Sequence, residues 1–367
     1  MRFSLLTLLL LQTLLYSKDI FEIAGQIVAE SALFENENGE STNEQDIRRA
    51  RIAIKGKPTS ELKYEVEYSF TGNNDWKDVY LQYEFIPDYL VKVGNIKEPI
   101  GLEALSTSKV NTFMERSLTQ TFLNKRKLGV QLQHLIKDDD HRYTLTAGAF
   151  GKSLDDLIDD EEDGNSVVGR ATYAYMPKKN KLLHLGVASA YTNYDEQKLK
   201  LNTTPESDFF DRNLVSTKIK NVEDTTTVAL ETALIWDNFS LQGEYMNMNV
   251  KNIDNNYDFE SWYVQSSWFI TGESRRYKAK KASFSRVKPK HPITEGGIGA
   301  WEIALRMSYL DIDDKDEVES KETDYTLGLN WYATSNVRMM ANYVRAELTQ
   351  PASSQEDIGQ IRIQYDF

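Results

Sequence analysis

The chain has 367 residues, with 56 Asp and Glu against 43 Lys and Arg, a net charge of −13 and no cysteine. These numbers exclude a disulfide scaffold and thiolate metal sites. Beyond the first residues no stretch approaches 18 apolar residues, which excludes a bundle of membrane-spanning helices.

The first 17 residues, MRFSLLTLLLLQTLLYS, set Arg2 ahead of an apolar run from Leu5 to Leu15, with Ser17 before Lys18. This pattern predicts a signal peptide over 1–17, an exported chain, and a single domain over 18–367, since no Pro/Gly/Ser linker interrupts the remainder.

Alternation with period two dominates from there on. LKYEVEYSF (62–70) puts Leu62, Tyr64, Val66, Tyr68 and Phe70 on one face and Lys63, Glu65, Glu67 and Ser69 on the other. VYLQYEF (79–85), WEIALRMSY (301–309), YTLGLNW (325–331) and IRIQYDF (361–367) repeat the pattern. In chain order the predicted strands are sixteen: 20–30, 47–56, 61–71, 76–85, 89–97, 127–136, 142–150, 166–176, 182–192, 225–236, 239–250, 258–271, 300–311, 322–333, 336–347 and 358–367. Most are of the length that a tilted membrane-crossing strand needs, about 9–11 residues, whereas strands of a soluble sandwich average about 5–6. The fold class read from this is all-β: a sixteen-stranded antiparallel transmembrane β-barrel with inward-folded loops.

The connections alternate in length. KPTS (57–60), IPD (86–88), KDDD (137–140), PKKN (177–180), WDN (236–238) and ATSN (333–336) are short; 35–46, 154–165, 193–224, 311–320 and 348–357 are long and mostly acidic. An even strand count places both termini and the short turns on the periplasmic side. Phe85, Tyr89, Trp236, Phe239, Trp301, Trp331 and Phe367 cluster at strand ends, as an interfacial girdle requires.

Two connections break the rule. Segment 98–126 is long, and its Leu102, Leu105, Phe113, Met114, Leu118 and Phe122 need somewhere to pack, which a loop in water does not offer. Folded into the lumen, it would carry Lys109, Arg116, Lys125, Arg126 and Lys127 to the channel. By parity 272–299 is a periplasmic turn, yet it is far too long for one. Its ESRRYKAKKASFSRVKPKHP (273–292) holds eight Lys or Arg opposed only by Glu273. A basic insert between low-dielectric walls focuses an anion-attracting field, and rings of Arg and Lys are how pores favour anions and phosphate. The competing reading is an insert hanging free in the periplasm against a partner.

These residues also carry a resemblance. FITGESRRYKAKKASFSRVKPKHPI with GGIGAWEIALRMSYLDI (269–312), VKVGNIKEPIGLEALSTSKVNTFMERSLTQTF (91–122), IRRARIAIKG (47–56) and the terminal strand ending in Phe367 resemble the phosphate-selective porin O and P family. The resemblance implies a homotrimeric sixteen-stranded porin in outer-membrane lipid, with a constriction built by the loop after the fifth strand and by a long periplasmic turn. It implies that the permeation path uses Arg49, Arg51, Lys109, Arg116, Arg275 and Arg276. Lys278, Lys280 and Lys281 join them from the charge of the insert. The expected partners are small anionic solutes. The strand walls are mixed, with Glu65, Glu67, Glu84, Glu231, Glu244 and Glu302 facing inward beside Lys63, Lys92, Arg170 and Arg306. A general or weakly cation-selective porin, or a plugged barrel with a structural or adhesive role, therefore stays open.

An enzyme is not expected. None of the four histidines, His134, His141, His184 and His291, lies in a nucleophile motif. The acidic run 155–163 lacks calcium-loop spacing, and GGIG (296–299) has no strand before it and no helix after it. No cofactor, metal or nucleic acid is expected.

Overall fold

The computed structural model describes residues 20–36, 41–72, 75–124, 126–155, 164–207, 209, 214–314, 320–350 and 353–367. The predicted signal peptide lies outside the described residues, as does most of the acidic run 155–163.

Sixteen strands close into an antiparallel barrel. They are β1 (Glu22–Asn36), β2 (Ser41–Gly56), β3 (Leu62–Ser69), β4 (Trp76–Ile86), β5 (Tyr89–Ile96), β6 (Lys127–Asp138), β7 (His141–Phe150), β8 (Asn165–Lys178), β9 (Lys181–Thr203), β10 (Val215–Trp236), β11 (Phe239–Asn252), β12 (Asn256–Phe269), β15 (Ala300–Asp311), β16 (Lys321–Tyr332), β17 (Val337–Gln350) and β18 (Ser354–Asp366). The short β13 (Arg276–Lys278) and β14 (Ser283–Ser285) pair only with each other. Every predicted strand overlaps one barrel strand.

Neighbouring strands in sequence pair, and β18 returns to β1 in the register Gln26↔Asp366 to Asn36↔Glu356, which leaves no sheet edge. Gly25 and Phe367 exchange backbone hydrogen bonds at 2.9 and 3.3 Å. A Cβ at Gly25 would stand 2.3 Å from the Phe367 ring, so the closing aromatic fills the space that a side chain there would need. Asp88, Asp139 and Asp237 supply the positive φ that the tight turns require.

The exterior is apolar where alternation predicts. Leu81, Leu132, Leu145, Leu185, Leu230, Leu305, Leu327 and Ile361 are exposed there. Phe85, Tyr89, Trp236, Phe239, Trp268, Tyr365 and Phe367 ring the short-turn end, and Tyr191, Tyr245, Tyr325 and Tyr343 stand toward the other.

The predicted loop 193–224 is corrected. β9 and β10 continue to Thr203 and from Val215, which makes them 23 and 22 residues long. Register shifts between Ile219 and Asp224, with Asn221 at φ 53, change the phase of the alternation. Above the shift Leu199, Leu201, Val215 and Ile219 turn inward and Lys198, Lys200, Lys218 and Lys220 outward. Apolar-out becomes apolar-in where the hairpin leaves the apolar band. The predicted loops 35–46 and 348–357 shorten for the same reason, because β1, β2, β17 and β18 extend beyond that band.

Candidate pore and its two inward segments

Segment 97–126 enters the lumen because its apolar side chains are buried there: Leu102, Phe113, Met114, Leu118 and Phe122 are all inaccessible. Its α-helical turn, Leu102–Leu105, presents the N–H groups of Leu102 and Glu103 to the Glu244 carboxylate of β11, both at 2.7 Å. Wall arginines then grip its main chain. Arg338 of β17 donates to the Asn111 and Thr112 carbonyls at 2.6 and 3.0 Å, Arg362 of β18 to Met114 O at 2.6 Å, and Arg306 of β15 to Glu115 O at 3.1 Å. The segment thus crosses from β5 to the far wall.

Its charges are consumed in doing so. Glu115 accepts from Arg49 at 3.2 Å and Arg362 at 2.6 Å, with Arg48 at 3.7 Å. Burial alone would raise this carboxyl, but Arg48, Arg49 and Arg362 outweigh it and hold it well below the usual carboxylate range. Arg48 and Arg49 reach the same carboxylate because β2 spends one extra residue opposite Val28–Glu30. Arg116 donates to the Ser106 carbonyl at 3.0 Å, and burial lowers its guanidinium. Lys109 donates to Gly25 O at 3.1 Å. Arg126 forks onto Asp78 of β4 at 2.9 and 3.4 Å, and Lys127 is buried with its Nζ 2.8 Å from Gly164 O. Lys125 lies outside the described residues.

Segment 270–299 also folds inward. Arg275 is buried, with its guanidinium 3.6 Å over the Phe284 ring and 3.0 Å from Gln242 of β11. Beyond it the β13–β14 hairpin, turning at left-handed Ala282, crosses to the opposite wall. There the carbonyls of Ala279, Lys280 and Ala282 accept from Thr144 of β7 (3.3 Å), Gln133 of β6 (2.6 Å) and Arg170 of β8 (3.0 Å). The Tyr277 hydroxyl meets His184 Nδ1 of β9 at 2.8 Å, and Phe284 N donates to Ser106 of the first segment at 3.3 Å. Lys280 pairs with Glu84 of β4 at 2.6 Å, and Arg286 with Asp366 at 3.0 Å.

Arg276, Lys278, Lys281 and Lys288 are exposed, and none of them makes an ion pair among the described residues. Burial lowers the Lys278 ammonium, and Lys281, Arg276, Lys288 and Lys55 of β2 add to the shift, which marks these charges as one group. Lys63 of β3 lies within electrostatic reach of Lys280 and Lys281. Lys92 of β5 stands 3.8 Å over the Tyr80 ring.

The two segments divide the lumen. Inward polar residues of β8–β12 and β15–β18, among them Arg170, Glu231, Gln242, Glu302, Arg306 and Asn330, are buried beneath them. Along β2–β5, Arg51, Lys55, Lys63, Glu65, Asp78, Gln82 and Lys92 stay partly exposed. The open passage therefore runs along β2–β5. It also carries Glu65, Glu67 and Asp78, whose carboxylate oxygens lie within 4.8 Å of one another. Arg126 forks onto Asp78 and the Tyr80 hydroxyl bonds Glu65 at 2.8 Å, so this acidic group is already met from the protein side.

Of the residues expected at the pore, Arg276, Lys278 and Lys281 are exposed together, and Arg51 borders the passage. Arg49, Lys109, Arg116 and Arg275 are engaged by the protein, and Lys280 by Glu84. Sequence reasoning missed Arg48, Lys55 and Asp78. Alternation points Arg48 outward, and only the bulge brings it in; Lys55 continues the inward face of Arg49 and Arg51 and was within reach of the same pattern.

A closed sixteen-stranded barrel with an apolar outer band and an open, charged passage is an outer-membrane porin. Similar solved structures share this fold: the outer-membrane channel DcaP of Acinetobacter baumannii (TM-score 0.60, 11% identity, 96% of this chain and 99% of that one) and OmpT of Vibrio cholerae in its trimer form (0.55, 11%, 95% and 99%). Porin O of Pseudomonas aeruginosa is 27% identical over 398 residues, covering 95% of this chain and 88% of its own. The family description "phosphate-selective porin O and P" matches residues 21–367, and the chain belongs to that family.

Proposed function

We propose that this porin is a water-filled passive channel that prefers small anions, phosphate-type oxyanions among them, and works as a homotrimer in outer-membrane lipid after removal of residues 1–17. The observation that carries the reading is the group Arg276, Lys278, Lys281 and Lys288, exposed and without an ion pair among the described residues, beside Lys55 at the short-turn end of the open passage. The acidic excess of the chain does not oppose this. Charges beyond about 8 Å are largely screened at physiological salt, so the local group outweighs the sum. Each of its cations interacts with an anion at 4 Å by about 1 kcal/mol in a water-like medium, a several-fold effect on local concentration.

The Glu65, Glu67 and Asp78 group in the same passage favours a second reading, a general porin of weak selectivity. Replacing Arg276, Lys278, Lys281 and Lys288 with Gln separates the two. Under the first reading the reversal potential in a KCl gradient moves toward cation preference, less so at high salt. An unchanged reversal potential in an assembled channel refutes the anion assignment. An absence of any current in the parent protein would instead mean a plugged barrel.

A further inference from the structure

A third stretch of chain reaches into the lumen, from the loop end of β9. Glu206 sits between β15 and β16, fully enclosed. Its carboxylate accepts from Arg306 Nε at 2.8 Å, Ser308 Oγ at 2.5 Å and Thr326 Oγ1 at 2.6 Å. Its N–H donates to Asp324 Oδ2 at 3.0 Å, and its carbonyl accepts from Gln360 of β18 at 2.9 Å. Beside it Thr203 donates to Glu322.

Carboxylates outnumber cations here. Glu206, Glu322 and Asp324 face one guanidinium, Arg306, which also pairs with Glu103 of the first inward segment at 3.2 Å. Glu322 and Asp324 are neighbours on the lumen face of β16, both 0% exposed, and one oxygen of each, Glu322 Oε1 and Asp324 Oδ1, has no donor among the described residues. On the flanking strands Leu310 and Ser308 of β15 and Ala346 of β17 stand opposite them, and none is charged. The next acid at that level, Glu356, is two strands away on β18. Among the described residues the only cation near these two adjoining carboxylates is Arg306, which Glu206 and Glu103 already engage, and two enclosed carboxylates so placed cannot both ionise. A shared proton is the partner that the two free oxygens lack.

We propose that residues 203–207 are a proton-held strap, lying inside the lumen against β15, β16 and β18 while Glu322 and Asp324 share a proton, and released out of the lumen to the water beyond the strand ends when both ionise. The sign follows from the charges. With the proton present, Glu206 faces one negative charge and Arg306. Without it, three enclosed carboxylates repel each other and the strap moves to water. The strap is therefore held at low pH and freed as pH rises, and the channel widens in the alkaline direction.

The test has two arms, both on the full-length protein in membranes. Single-channel conductance is followed from about pH 5 to about pH 9. The wild type should step upward, whereas the double variant Glu322→Gln, Asp324→Asn should keep its low-pH conductance throughout. A flat wild-type profile, or the same step in the double variant, overturns the proposal. The second arm needs no change in the acidic pair. The chain has no cysteine, and Ser207 is 1% exposed. The rate at which an impermeant maleimide labels Ser207→Cys is divided by the rate for Ser216→Cys, an exposed site that corrects for thiol ionisation. Release of one proton allows the ratio to rise by up to about tenfold per pH unit through the transition. A ratio constant with pH overturns the proposal even if the double variant fails to assemble.

Discussion

The two inward segments are held by the same device and left in opposite electrical states. In both, polar side chains of the wall donate to main-chain carbonyls: Arg338 and Arg362 grip 111–114, and Thr144, Gln133 and Arg170 grip 279–282. In 97–126, however, the side-chain charges are spent on the protein itself, Glu115 on three arginines and Arg116 and Lys109 on carbonyls. In the β13–β14 hairpin Arg276, Lys278 and Lys281 remain unspent. Charge count alone does not distinguish a strut from a selectivity element; the partners do.

The largest effect should come from breaking the strut. Glu115→Gln removes the carboxylate that Arg48, Arg49 and Arg362 share and leaves Glu30 on Arg362, and removing one member of a buried ion pair costs about 3–5 kcal/mol. Thermal unfolding in detergent should shift down, and open-channel noise should rise as the segment loosens. An unchanged midpoint would mean that Glu115 is not a strut.

Neutralising Arg276, Lys278, Lys281 and Lys288 should do the reverse, changing selectivity while stability stays within about 0.5 kcal/mol, as for surface substitutions. A large loss of thermal stability would show that these residues hold the hairpin. Within the hairpin, Lys281→Gln should lower anion preference more than Lys280→Gln, since Lys280 is already met by Glu84. Equal effects on the reversal potential would erase that distinction.

The smallest effect concerns pH. Burial and like charges lower the Lys278 ammonium, so it loses its proton below the ordinary lysine range. Anion preference should therefore begin to fall at alkaline pH before unperturbed lysines titrate, and Lys278→Arg should remove that early part of the decline in reversal potential. A Lys278→Arg profile that matches the parent would reject the assignment.

How much of this the sequence discloses depends on the range of the interaction. Period two is local, so LKYEVEYSF and IRIQYDF reveal their strands and faces, and the excess length of 98–126 and 272–299 reveals that something else happens there. A phase slip defeats the same reading. Asn221 and its neighbours hide the upper parts of β9 and β10, and the extra residue in β2 hides Arg48. Which lysine is free is harder still. Lys280 and Lys281 are adjacent and chemically alike, and what separates them is Glu84, 196 residues away in the chain. Arg49 and Arg275 carry the charge expected of pore residues, yet each is enclosed by contacts with segments distant in sequence.

The grip on Ala279, Lys280 and Ala282 through their carbonyls has an evolutionary consequence. A wall that holds peptide groups does not depend on the side chains attached to them, apart from the requirement for a left-handed residue at 282. The tip of the hairpin can therefore accept new residues with little loss of anchorage. One inherited barrel could be re-specified for a different solute by point changes at positions such as 278 and 281, with mutation exploring permeability while the scaffold stays under separate selection.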